Sequence, residues 1–245
     1  MAEVPSSLLR RERPPRGEGW LTLLDAFELN WNGNTLELPM PAQRLLAYLA
    51  IEDRPLHRGY VADALWLNST EAHASGSLRS ALWRIRRSGC ELLEETNHQL
   101  RLAKAVGVDV REAYAWASRV QDPARPIDAA DVAEASASVE LLRDWYDDWV
   151  VFERERFRQF RAHALEVLCV RLAEEGRFAE AIEVGLAGVH NEPLRESAHR
   201  AVISVHLAEG NRSDALRHYA YFRQLVTDEL GIQPSRRMET LVRGG

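Results

Sequence analysis

Apolar and polar positions alternate over residues 20 to 38, WLTLLDAFELNWNGNTLEL. Phe27, Leu29 and Trp31 share one parity, Asn32-Gly33-Asn34 supplies a turn able to take positive φ, and Leu36 and Leu38 resume the alternation, which predicts a small antiparallel sheet. Pro39 and Pro41 end it, and the period lengthens. Residues 42 to 52 place Leu45, Leu46, Leu49 and Ala50 on one side of a helix. After Pro55, residues 58 to 66 give a shorter helix with Val61, Ala64 and Leu65 inward, and Asn68-Ser69-Thr70 connects it to a third. In that third stretch, ASGSLRSALWRIRRSG over residues 74 to 89, Ala74, Leu78, Ala81, Leu82 and Ile85 recur at threes and fours and form one apolar arc. Arg79, Ser80, Trp83, Arg84, Arg86 and Arg87 occupy the rest of the wheel. The period then returns to two: strand over residues 91 to 93, loop over 94 to 98, strand over 99 to 102.

From there the pattern is helical. Val110, Ala113, Tyr114 and Ala117 mark a helix over residues 109 to 125, residues 121 to 128 with two prolines form a connector, and everything from residue 129 onward reads as helix. Gly176-Arg177-Phe178-Ala179-Glu180-Ala181-Ile182 recurs as Gly210-Asn211-Arg212-Ser213-Asp214-Ala215-Leu216, an offset of 34 residues and the tetratricopeptide period. The glycine permits a tight turn between paired helices and the alanine lets them approach. Pro193 closes the first repeat, whereas Thr227 stands at the matching place in the second, so the second is degenerate. About three helix pairs are expected, the last acting as a cap. Trp145, Tyr146, Trp149, Phe152, Phe157 and Phe160 precede the repeats and fit either packing between helices or an interaction groove.

Charge changes the picture. The formal net charge is −6, yet residues 1 to 105 are neutral overall and the deficit falls entirely on residues 106 to 245. The third helix carries four arginines and no acid between residues 74 and 89, a concentration suited to phosphates and base edges. Lys104 is the only lysine, so forked guanidinium contacts dominate. Residues 1 to 18 read as a flexible arm without a secretion signal, no apolar run is long enough for a membrane span, and Cys90 and Cys169 form neither a disulfide framework nor a zinc pattern. A reducing cytoplasm is the expected compartment. No P-loop, GxGxxG or HExxH occurs and the eight histidines lack ligand spacing, so neither enzyme activity, cofactor nor metal is expected. His190, His199, His206 and His218 read as surface or interhelical hydrogen-bond partners.

Three helices followed by a hairpin, the third helix basic, is the plan of a winged helix-turn-helix module whose third helix enters the major groove. The expected class is mainly α. A winged helix-turn-helix of response-regulator type, with its small β-sheet and wing hairpin, spans residues 19 to 106, and an α-helical tetratricopeptide-like domain spans residues 107 to 245. Gln43-Arg44-Leu45-Leu46-Ala47, Val61-Ala62-Asp63-Ala64-Leu65-Trp66, the run from Leu78 to Arg87, Pro193-Leu194-Arg195-Glu196 and Asp228-Glu229-Leu230-Gly231-Ile232-Gln233-Pro234 resemble the SARP-type activators of bacteria. In that family such a module precedes a bacterial transcriptional activator domain. The resemblance implies binding to promoter direct repeats by two or more protomers, and recruitment of RNA polymerase through the sigma factor and other subunits. Resemblance to winged helices of the response-regulator type implies a polymerase-contacting loop over residues 67 to 73, and no receiver domain is expected because the sequence starts almost directly at the winged helix. On this plan Arg79, Trp83 and Arg87, flanked by Ser80 and Arg84, project into the groove. Arg44, Arg58 and Arg86 clamp phosphates, and Asn97, His98 and Gln99 form the wing tip. Trp83 would pack a thymine methyl or sugar edge, or support the wing. The competing reading is a helical-repeat adaptor or ligand-sensing regulator whose first domain docks protein.

Overall fold

The hydrophobic parity of residues 20 to 31 becomes two short strands in the computed structural model, which describes residues 19–244; the arm expected over residues 1–18 lies outside them. Among the described residues, contacts divide the chain into one unit of residues 19–23 and 27–109 and another of 24–26 and 110–244.

In the first unit β1 (Gly19–Thr22) pairs antiparallel with β2 (Glu28–Trp31), and Asn32 and Gly33, at φ 48° and 82°, turn the chain into β3 (Asn34–Thr35). Leu36 and Leu38 do not prolong that strand as their alternation suggests. Leu36 still donates its N–H to Leu29 at 2.8 Å, but Pro39 has no N–H to continue a ladder and instead precedes α1 (Met40–Glu52). Then come β4 (Leu56–His57), α2 (Arg58–Leu65), α3 (Glu71–Arg87), β5 (Leu93–Glu95) and β6 (Gln99–Leu102). The hairpin starts two residues later than the alternation places it, because Leu92 is buried below it and accepts the N–H of Ala103. A further strand, β7 (Val106–Val108), has no counterpart in the sequence reading. It lies parallel to β1 in a sheet of order β3-β2-β1-β7, with Trp20 opposite Gly107. Gly107 is required there: a Cβ would come within 2.5 Å of the Trp20 ring, and one at Gly19 within 2.7 Å of Trp31. The buried Asp109 carboxylate then accepts the Leu23 N–H at 2.9 and 3.1 Å.

The second unit is helical: α4 (Asp109–Gln121), α5 (Ala129–Ala135), α6 (Asp148–Glu174), α7 (Phe178–Asn191), α8 (Glu196–Ala208), α9 (Arg212–Leu230) and α10 (Arg236–Gly244). Gly176 and Gly210 turn α6 into α7 and α8 into α9 at φ 75° and 87°, and Ala181 and Ala215 are fully buried behind them. Gly185 brings the pairs close, since a Cβ there would meet Val202 at 2.8 Å and Cys169 at 3.0 Å. Where Pro193 follows a 14-residue α7, Thr227 sits inside a 19-residue α9 and hydrogen-bonds the Arg223 carbonyl, so the missing proline lets the helix run on until Gly231. Beyond it α10 buries Met238 and Val242 against this last pair.

Residues 136–147 are not helical, contrary to their pattern. Leu142 adopts φ 44° and Leu141 bridges Leu24. The backbone groups released from helix are answered by two arginines of α6. Arg154 donates to the carbonyls of Leu141 and Trp145 at 2.8 Å and to that of Leu142, and Arg161 donates to Glu134, Ala135 and Ala137 at 2.5 to 3.1 Å. The aromatic set divides accordingly: Trp145 and Phe157 are buried, Trp149 and Phe160 half-buried, Tyr146 and Phe152 exposed.

Between α8 and α9, His199 is wholly buried, with Nε2 2.8 Å from the Pro193 carbonyl and Nδ1 3.0 Å from His218 Nε2. His199 therefore donates to Pro193 and accepts from His218, with both rings neutral. Burial, then the neighbouring His199 and His206, push His218 down to about 4, and burial lowers His199 as well. A histidine whose folded pKa is depressed stabilises the fold above its unfolded pKa of about 6.5, and that stability is lost as pH falls towards the folded value. The unfolding midpoint should fall between pH 7 and pH 5 in a melting series, and fall less in His218→Gln, which keeps a donor for His199 without titrating. Equal acid sensitivity of the two proteins would contradict the assignment.

Candidate nucleic-acid interface

The basic helix owes its position to the apolar arc read from the sequence. Thr70 caps α3, its hydroxyl accepting the His73 N–H at 3.4 Å, and Glu71 in the first turn with Arg84, Arg86 and Arg87 in the last complements the helix dipole. Ala74, Leu78, Ala81, Leu82 and Ile85 are all buried, packed towards α1 and α2. Removing five apolar side chains from water holds the helix by one face, which leaves Arg79, Ser80, Trp83, Arg84, Arg86 and Arg87 exposed on the other. Gly76 weakens the helix by up to ~1 kcal/mol relative to alanine, and the helix runs through it.

The exposed arginines are not equivalent. Arg84 and Arg87 both lie 5.1 Å from the centre of the Trp83 ring, which is 49% exposed, so one indole aligns two guanidiniums. Among the described residues no carboxylate pairs with Arg79, Arg84 or Arg87. Arg86, by contrast, binds Glu95 with Nε at 3.0 Å and Nη2 at 2.5 Å, which raises its pKa further above the ordinary arginine value. Arg58 reaches the same carboxylate at 2.8 Å, and its backbone N–H donates to the His98 carbonyl at 2.9 Å. One acid of the wing thus ties the start of α2 and the end of α3 to the hairpin.

Several expected roles change. Arg44 donates to the Leu65 carbonyl at 2.7 Å and lies 5.9 Å from the Trp66 ring, fixing α1 to the end of α2 instead of standing ready for phosphate. Arg58 and Arg86 are engaged by Glu95, so a phosphate would have to displace a carboxylate. Asn97 and His98 do form the exposed tip, where the Thr96 hydroxyl accepts the N–H groups of His98 and Gln99 at 3.4 and 3.0 Å. Gln99 is already part of β6, half-buried and paired with His57. Residues 71 to 73 belong to the first turn of α3, so the connection expected over residues 67 to 73 ends at Thr70, with Leu67 66% exposed. No periodicity relates positions 58, 86 and 95, so the sequence carries no signal for the role of Glu95.

Among the described residues no group of three or more His, Cys, Asp or Glu side chains could hold a metal ion, and no helix is long and apolar enough to cross a membrane.

Comparison with known proteins agrees with this architecture. The model of the bacterial transcriptional activator domain matches residues 108–244. The regulatory protein AfsR of Streptomyces coelicolor is 27% identical over 224 residues, covering 86% of this chain and 22% of that protein. AfsR of Streptomyces griseus is 26% identical over 219 residues, covering 83% and 22%. The chain therefore spans about a fifth of the length of these curated relatives. The structure of Mycobacterium tuberculosis EmbR in complex with a low affinity phosphopeptide shares the fold, with a TM-score of 0.68 and 20% identity over 93% of this chain and 64% of that one. With a winged helix-turn-helix ahead of the matched repeat domain, the chain belongs to the bacterial transcriptional activator domain family.

Proposed function

We propose that this chain is a SARP-type transcriptional regulator, a sequence-specific DNA-binding activator acting in the bacterial cytoplasm. The observation that carries the reading is the face of α3: guanidiniums of Arg79, Arg84 and Arg87 without carboxylate partners among the described residues, Arg84 and Arg87 against Trp83, on a helix whose opposite side is buried. A helix so presented fits a major groove, where arginine reads guanine with two hydrogen bonds or binds phosphate, and the Trp83 edge packs on a thymine methyl. The wing tip at Asn97 and His98 touches the neighbouring backbone. Arg58 and Arg86 meet phosphates only by exchanging Glu95 for them. By resemblance to its family, two or more protomers bind direct repeats at a promoter and recruit RNA polymerase through the sigma factor and other subunits, and by resemblance to response-regulator winged helices the stretch of residues 67 to 73, whose connecting part ends at Thr70, is the contact.

Anisotropy titrations of the full chain against promoter duplexes test this. If Arg87 reads a base, Arg87→Ala should weaken specific binding by about 1 to 3 kcal/mol and relax preference at one base pair; if Arg84 meets phosphate, Arg84→Ala should weaken all duplexes alike and flatten the salt dependence by about one counterion. Unchanged affinity in both variants would remove α3 from the interface. Duplex binding absent at low salt would favour protein docking by the first domain instead.

Glu95 supplies an independent check. Glu95→Gln uncovers Arg58 and Arg86, so the dependence of log affinity on log salt should steepen by about one unit. The ratio of specific to nonspecific affinity should fall at the same time, because the wing loses its anchor. An unaltered slope and ratio would show that the carboxylate neither masks charge nor sets the wing.

A further inference from the structure

Gly76 is the sixth of the 17 residues of α3, a position inside a helix where glycine is less stable than alanine. Other glycines of the chain serve the fold. A Cβ at Gly19, Gly107 or Gly185 would run into Trp31, Trp20 or Val202, and Gly33, Gly176 and Gly210 turn the chain at positive φ. Gly76 does neither: its φ is not positive, and among the described residues a Cβ there would meet one side-chain atom, Arg79 Nη2 at 3.7 Å, an ordinary contact. The protein itself has room for a side chain at this position.

The buried seam of α3 decides which way that room faces. Gly76, Ser80, Trp83 and Arg87 follow one another at spacings of four, three and four, on the line opposite Ala74, Leu78, Ala81, Leu82 and Ile85. Side-chain bulk falls along that line towards the N-terminus of the helix. Trp83 is 49% exposed with the Arg84 and Arg87 guanidiniums against its ring, Ser80 carries a hydroxymethyl group, and Gly76 carries nothing. Arg79, which pairs with no carboxylate among the described residues, reaches back to the edge of the gap. The face is therefore a taper, and a taper laid against a groove brings the helix main chain nearest to its partner at the thin end. That end is the one from which the recognition helices of helix-turn-helix proteins contact base edges.

We propose that α3 enters the major groove with its N-terminal half deepest, and that Gly76 is the point of closest approach, where the helix main chain lies against the base edges with no room for a Cβ. The glycine contributes by what it lacks. It weakens the helix of the free protein, and in exchange Arg79 and Ser80, on either side of its line one turn further on, come within reach of the groove floor. The proposal rests on the DNA-binding reading of α3 and adds to it the depth and direction of entry.

The test pairs thermal melting with anisotropy titration of the full chain carrying Gly76→Ala or Gly76→Leu, against the promoter duplex that the unaltered chain binds best and against an unrelated duplex. Both replacements are better helix formers than glycine and leave the charge unchanged, so Gly76→Ala should raise the melting temperature. Its affinity for the promoter duplex should nevertheless fall by about tenfold, the scale of one methyl group forced into a close contact, and that of Gly76→Leu should fall further. Affinity for the unrelated duplex, carried by phosphate contacts without insertion to the groove floor, should be kept. Unaltered promoter affinity in Gly76→Ala, equal losses on both duplexes, or a lowered melting temperature, which would place the need for glycine inside the fold, would each overturn the close approach. The DNA-binding reading of α3 falls with it only if Arg84→Ala and Arg87→Ala also keep full affinity, or if the unaltered chain binds no duplex at low salt.

Discussion

Burial of one side of α3 governs the front of this molecule. Ala74, Leu78, Ala81, Leu82 and Ile85 can leave water together only if the helix lies with that seam inward. The same rotation turns Arg79, Trp83, Arg84 and Arg87 outward. Presentation of charge here follows from packing and needs no separate device: a helix pinned along five positions has no freedom to roll its guanidiniums elsewhere. The wing adds the second constraint, since Glu95 joins α2, α3 and β5 through one carboxylate.

Arginine does two kinds of work in this chain, and only structure separates them. Many guanidiniums serve the backbone. Arg44 holds Leu65, Arg154 and Arg161 hold the irregular segment before α6, Arg171 donates to Val120 and Arg125, and Arg177 donates to Ile127. A planar fork of five donors suits this task better than a lysine ammonium, which fits a chain with a single lysine. The arginines left for a partner are those whose described neighbours offer neither carbonyl nor carboxylate, and on α3 these are Arg79, Arg84 and Arg87.

What could be read from the sequence was what periodicity encodes. The five inward positions of α3 follow from their spacing, the glycine turns at 176 and 210 from the repeat offset, and the order of sheet, three helices and hairpin from the change of period. Features that depend on distant partners were not legible. β7 is three residues long and exists because Gly107 admits Trp20 across the sheet. Residues 136–147 carry helical spacing but give it up for carbonyl bonds from Arg154 and Arg161, 9 to 24 positions away in sequence. Arg44 and Gln99 have the residue type of a DNA contact, and only tertiary structure shows that Arg44 also donates to the Leu65 carbonyl and that Gln99 pairs with His57 in the sheet.

The most direct measurement of the central claim is site-specific photocross-linking. A benzophenone amino acid at Ser80, on the outward face of α3, should cross-link to a promoter duplex in a manner competed by unlabelled duplex, while the same group at the exposed Glu209 should not. Cross-linking absent at position 80, or equally efficient at position 209, would contradict the account.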